Sequence, residues 1–157
     1  MTESDTSAPI PSWHHLPENP YNPHAWVVGE PTVGQGTWIG AFTVIDGSGG
    51  LTIGENCDIS AGAQIYTHST VRRCLNKSID SDPEEIERAA TKIGTNVHIG
   101  AGAIILMGCA IGNHCVIAAG AVVSQFTVVP DHSVVAGIPG KIIPDAANKF
   151  ITTHPTG

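Results

Sequence analysis

The amino-acid sequence predicts an all-β chain wound as a triangular prism of about five to six coils, and three observations carry the prediction. An aliphatic residue recurs every six positions through most of the chain. The residue after it is often glycine, and small residues or Asn recur about three places on. The rhythm breaks twice, once by two residues and once for about twenty, and resumes each time.

The repeat positions are Val27, Val33, Ile39 and Ile45, then Ile53, Ile59, Ile65 and Val71, then Ile93, Ile99, Ile105, Ile111, Ile117, Val123, Val129 and Val135. A helix repeats its apolar positions at 3.6 residues and an ordinary strand at two, and neither yields a period of six over so many turns. Three short flat strands per coil, each turning one aliphatic inward, do yield it, with eighteen residues closing a coil. Gly34, Gly40, Gly54, Gly94, Gly100 and Gly112, with Gly62, Asn96, Gly102, Asn113 and Gly120, suit tight corners with unusual backbone angles.

At 157 residues the chain reads as one domain. Residues 1–26 form an N-terminal extension in which Trp13, Tyr21 and Trp26, among the prolines of "WHHLPENPYNPHAW", are expected to pack over the open end of the prism. Residues 1–12 are expected to be disordered. The coils run over 27–141, with an inserted loop over about 72–92. There Asp82, Pro83, Glu84 and Glu85 have the order of an N-cap, a first-turn proline and an acidic first turn, which predicts a short helix over 83–90. A tail over 142–157 begins as a short helix and frays.

Fourteen acidic against seven basic side chains give a net charge of -7, which argues against nucleic acid or an anionic membrane as the main partner. Five of the seven cations, Arg72, Arg73, Lys77, Arg88 and Lys92, lie between residues 72 and 92. The start of the sequence has no basic, apolar leader, and no stretch of eighteen apolar residues occurs, so the expected location is cytoplasmic. Cys57, Cys74, Cys109 and Cys115 lack zinc-site spacing and read as small apolar fillers. No metal is expected.

The stretch "QIYTHSTVRR", Gln64 to Arg73, stands where the rhythm breaks. With Ile65 as the inward position, His68 falls near a corner and faces out. An outward imidazole beside a long excursion is a candidate acid-base group.

"GAQIYTHS", then "KIGTNVHIGAGAIILMGCAIGNHCVIAAGAVVS" and "VVAGIPGKII" resemble the coenzyme A-dependent acetyltransferases of the hexapeptide-repeat superfamily. The likeness runs from about Val27 to Lys141. It is nearest to the maltose, galactoside and nodulation sugar O-acetyltransferases and the capsule-type sugar acetyltransferases, which "IDGSGGLTIGENCDISAGAQIYTH" is especially like. The resemblance implies a left-handed parallel β-helix, a homotrimer with active sites between subunits, and direct transfer of an acetyl group from acetyl-coenzyme A to a sugar or nucleotide-sugar hydroxyl. His68 matches the family's general base. Imidazoles titrate near 6.5, so one can take the proton of an attacking hydroxyl at neutral pH.

The same resemblance sets Asp46 where the sugar enzymes carry an acceptor-contacting carboxylate. Asp46 binds acceptor hydroxyls, helps to orient His68, or simply caps a turn with the glycines that follow. Arg72 and Arg73 hold phosphate on a nucleotide sugar or on coenzyme A, or stand as solvated charges paired with Glu84, Glu85 and Glu87. His98 occupies a place often filled by Trp in the sugar enzymes and is a further acceptor-binding candidate. Coenzyme A is expected along Ala101, Ala119, Ser124 and Gln125, with Lys141 of "GIPGK". Gln125 stands where many members carry Lys, which leaves more of the phosphate grip to Lys141.

Other activities share this scaffold. An amino sugar is an alternative acceptor. A γ-type carbonic anhydrase needs three His ligands, two in a His-x4-His pair that this sequence lacks; His114 and His132, eighteen apart, stack on successive coils. A non-catalytic trimeric scaffold is the remaining reading.

Overall fold

The computed structural model of the protein describes residues 16–77 and 86–151. The chain winds as a β-solenoid with three flat faces, and every face is a parallel ladder through successive coils. The first face stacks Trp26–Val28, Val44–Asp46, Gln64–Ile65, Ile104–Ile105 and Val122–Val123. The second stacks Thr32–Val33, Leu51–Ile53, Thr91–Ile93, Ala110–Ile111 and Val128–Val129. The third stacks Trp38–Ile39, Asp58–Ile59, His98–Ile99, Val116–Ile117 and Val134–Ala136, to which Lys141–Ile143 adds antiparallel.

The register explains the hexads. Val27, Ile45, Ile65, Ile105 and Val123 stand directly above one another on the first face. Ile39, Ile59, Ile99, Ile117 and Val135 do so on the third. Nearly all are buried, and they form one continuous core with Cys57, Cys109 and Cys115 between them. Each buried aliphatic contributes roughly 1.5–3 kcal/mol on leaving water, and the parallel ladder satisfies the backbone between them.

Both breaks in the rhythm leave the prism at the same corner, between the first and second faces. Residues 46–50 add two positions there in one coil, and residues 66–90 add twenty-two in the next, as the register steps Ile45 to Ile65 and Ile65 to Ile105 show. Two expectations therefore need correction. Val71 keeps the six-residue spacing but is 60% exposed and opens a five-residue helix, α1 (Val71–Leu75), which buries none of its residues. The chain has already turned away at Thr67, so Ile65 is the last inward residue of its run. The second half of the helix expected over 83–90 is not helical: residues 78–85 lie outside the described residues, and Glu87–Arg88 is a strand running back antiparallel to His68–Ser69.

The N-terminal end is closed by asparagines. The Asn19 amide donates to the carbonyls of Asn22 and Ala25 and accepts from the N–H groups of Tyr21 and Asn22. Asn22 donates to the Ile39 carbonyl. Tyr21 packs on the core, whereas Trp26 is half exposed on the outside of the first face. Trp13 lies outside the described residues. At the other end, a 3-10 helix over Ala146–Phe150 follows the reversed strand and buries Ala147. No described helix is long and apolar enough to cross a membrane.

Candidate active site

Because the two insertions share a corner, the shorter lies directly beneath the root of the longer. Asp46 ends a first-face strand and is 1% exposed, a position a carboxylate holds only when its oxygens are satisfied. Its Oδ1 accepts the Ser48 N–H at 3.0 Å. Its Oδ2 accepts the Thr67 N–H at 2.8 Å and the Thr67 hydroxyl at 3.0 Å. The same Oδ2 lies 2.5 Å from Nδ1 of His68. Burial pushes the Asp46 carboxyl up, but the hydrogen bonds from Ser48, Thr67 and His68 outweigh it and hold the group well below the usual carboxylate range. The ionised carboxylate can only accept, so Nδ1 of His68 carries the proton. Nε2 is left as the nitrogen available for chemistry, on a side chain 35% exposed.

The glycines after Asp46 are a consequence of this packing. Gly49 donates to the Thr67 hydroxyl at 2.8 Å, and a Cβ on Gly49 would overlap the Thr67 carbonyl oxygen. The excursion is tied down on its other side as well. Ala89 donates to the Thr67 carbonyl, and Thr91 donates to the Tyr66 carbonyl while accepting from Gly108. A Cβ on Gly108 would run into the Phe126 ring and crowd the Ala89 methyl, with Phe126 itself at a φ of +59°. Tyr66 stands edge-on to His68, ring centroids 6.3 Å apart, with its hydroxyl 2.6 Å from Gln64.

An open groove of about 360 Å³ lies beside α1, lined in part by Ser69, Arg72, Leu75, Asn76, Glu87 and Gln125; His68 itself does not line it. Arg72 pairs with Glu87 at 3.2 Å, as the solvated-charge reading anticipated for that glutamate; Glu84 and Glu85 lie outside the described residues. Ser124 and Gln125 are exposed at this same corner, two coils above the long insertion. Ala101 and Ala119 are exposed at the corner between the third and first faces, beside Gly102 and Gly120, where an added Cβ would meet nothing within 4 Å. Lys141 is exposed on the reversed strand.

The structure thus unites Asp46 with His68, and Arg72 with Gln125. Asp46 differs from an acceptor-contacting carboxylate: buried, with its oxygens engaged, it offers no face to an acceptor. His98 sits exposed on the third face beside Asp58, on a different face from the His68 corner. Sequence reasoning passed over Thr67, Ser48 and Gly49. The available signal was that both breaks follow a first-face hexad, which forces the inserted segments together. Among the described residues no three His, Cys, Asp or Glu side chains converge as a metal site needs, and the rings of His114 and His132 stack in parallel, centroids 5.1 Å apart.

Two repeat families match the chain on either side of the excursion: the hexapeptide repeat of succinyl-transferase over residues 32–67 and the bacterial transferase hexapeptide over 90–125. Among solved structures, the hexapeptide-repeat containing-acetyltransferase VCA0836 from Vibrio cholerae is 32% identical with a TM-score of 0.60, over 72% of this chain and 61% of that one. It has also been crystallised with acetyl-coenzyme A. A maltose O-acetyltransferase from Clostridium difficile 630 is 27% identical with a TM-score of 0.55, over 74% and 64%. AntD, an N-acyltransferase from Bacillus cereus in complex with dTDP and 3-hydroxybutyryl-CoA, shares the fold at 20% identity and a TM-score of 0.67, over 83% and 74%. No curated protein matches the chain in sequence.

Proposed function

We propose that this chain, which matches hexapeptide-repeat families over residues 32–67 and 90–125, moves an acetyl group from acetyl-coenzyme A to a hydroxyl of a sugar or sugar-containing metabolite, with His68 as the general base. The observation that carries the reading is the Asp46–His68 pair, 2.5 Å apart at the root of the excursion. The buried carboxylate accepts the Nδ1 proton, which leaves Nε2 as the nitrogen to act as base. Acetyl-coenzyme A, when bound, supplies an activated thioester carbonyl.

His68 Nε2 takes the acceptor hydroxyl proton as the acceptor oxygen bonds to the acetyl carbon. The C–S bond then breaks, and the imidazolium returns its proton to the departing sulfur. Asp46 stabilises the transient imidazolium and keeps the ring in place. The residues present fit the cofactor: Ala101 and Ala119, beside the unobstructed backbone of Gly102 and Gly120, offer a smooth track for a pantetheine arm. Ser124 and Gln125, at the His68 corner, and Lys141, on the reversed strand of the third face, are the polar and cationic groups proposed for the same coenzyme A, which they and the Ala101–Ala119 corner can share only across a subunit boundary. Arg72 and Arg73, next to the groove beside α1, are proposed to meet an anionic group of a nucleotide-sugar acceptor. His98 reaches an acceptor only across a subunit boundary, in keeping with a proposed trimer whose sites lie between chains.

The test is release of free thiol from acetyl-coenzyme A against a panel of neutral sugars, nucleotide sugars and their amino counterparts. Acetylation of a hydroxyl, seen as an ester in the product mass and its lability to mild base, is the expected result. Exclusive amide formation on an amino sugar would replace the O-acetyl assignment, and transfer to water alone would overturn it.

A further inference from the structure

Thr67 is fully buried, yet it is polar and stands between the two insertions. Its N–H reaches Asp46 Oδ2 at 2.8 Å, and its hydroxyl lies 2.9 Å from the Asp46 carbonyl oxygen and 3.0 Å from Oδ2. That hydroxyl also accepts the Gly49 N–H at 2.8 Å, and its carbonyl accepts the Ala89 N–H at 3.0 Å. One residue therefore bonds the end of a first-face strand, the glycine loop and the returning limb of the excursion. A valine would fill the same volume, so packing alone does not call for the hydroxyl.

We infer that Thr67 is a positioning residue for His68: its N–H and hydroxyl lock the Asp46 carboxylate in the one rotamer that holds the His68 proton on Nδ1. Resting on the general-base reading of His68, this explains why the two breaks occur at one corner. The two-residue insertion lets Gly49 approach the Thr67 carbonyl, and the long one begins with the residue that bridges to it. Without the hydroxyl, Oδ2 keeps the Thr67 N–H and Oδ1 the Ser48 N–H, but the carboxylate is held less tightly and Gly49 loses its acceptor, so the imidazole samples the tautomer with the proton on Nε2, which cannot act as a base. The charged or titratable groups around the ring are Asp46 beneath it, Arg88 and Glu87 on the paired strand, and Tyr66 edge-on.

The experiment compares the full-length protein with Thr67→Val and Thr67→Ser. Two readouts are used: the ring ¹⁵N shifts of His68, which report its tautomer without any substrate, and steady-state kinetics. Thr67→Val is expected to bring out the Nε2-protonated tautomer and to lower kcat by about tenfold or more with the KM for acetyl-coenzyme A unchanged. Thr67→Ser, which keeps the hydroxyl, restores both. An unchanged tautomer in Thr67→Val overturns the inference whatever happens to the rate. So does a failure of Thr67→Ser, folded by its thermal transition, to restore the wild-type tautomer and kcat. If Thr67→Val does not fold, wild-type and Thr67→Ser spectra still decide: a wild-type His68 with no dominant Nδ1-protonated form sinks the inference. Because the ring spectra need no turnover, a protein with no acetyltransferase activity would refute the proposed function while leaving the Thr67 lock to be judged separately.

Discussion

Replacing Asp46 by Asn keeps the shape of the side chain and removes its charge. The carboxylate accepts from Ser48, from the Thr67 backbone and hydroxyl, and from His68. An amide has one oxygen, so its NH₂ must face either the Ser48 N–H or the donors of Thr67 and His68. Leaving such donors unmet costs about 1–3 kcal/mol, and the lost charge weakens the bonds that remain, so a destabilisation of about 2–4 kcal/mol is expected, or roughly 10 °C in Tm. The catalytic loss is separate. A unit charge about 4 Å from an imidazolium, at an effective dielectric constant of 20, is worth about 4 kcal/mol. Solvent at the partly exposed His68 trims that, so kcat falls by about 10²- to 10³-fold. The assay is thiol release at saturating acetyl-coenzyme A, with thermal unfolding measured alongside. The pH dependence has a definite sign. The native carboxyl is held below its unfolded value of about 3.9, so its stabilisation is present in full at pH 7. The gap in stability between wild type and variant narrows as pH falls below that value toward the lower native one. A variant with kcat within about threefold of wild type would refute the pairing as what orients His68 and stabilises its imidazolium.

Gly49→Ala places a methyl group against the Thr67 carbonyl; it should lower kcat by about tenfold or more while leaving the KM for acetyl-coenzyme A alone, and a normal kcat would show that Thr67 does not depend on that approach. Cys57, Cys109 and Cys115 are buried, and burial pushes their thiols up, whereas Cys74 is exposed on α1. A thiol reagent at pH 8 should therefore modify one cysteine per folded chain quickly and four after unfolding; rapid loss of all four in the native state would contradict the continuous core.

The prism was legible because the hexad is a direct record of the fold: Ile45, Ile65 and Ile105 stack on one face, and each must be aliphatic for the same reason. His68 was legible as an outward residue next to a break. Its partner was not, since Asp46 and His68 are twenty-two positions apart, and their contact depends on both insertions leaving one corner. Counting Val71 as a core position hid that fact, because chance preserved its spacing after the chain had turned outward. Trp26 misled for a related reason: composition marked it as a cap, but the strand alternation puts Val27 inside and Trp26 outside. The asparagines that do close the end, Asn19 and Asn22, act through backbone hydrogen bonds that a pattern of apolar residues does not register. Thr67 was passed over because a single threonine carries no periodic signal, and its importance lies in three contacts made from one buried position.

The central claim is that His68 Nε2 takes the acceptor proton, and the most direct measurement is acetyl transfer by His68→Ala. A positioned base contributes about 10²- to 10⁴-fold, so the variant should lose at least a hundredfold in kcat, with the fold and the size of the assembly in solution unchanged and thermal stability lowered only by the loss of the one bond to Asp46. Wild-type turnover in His68→Ala would contradict the account.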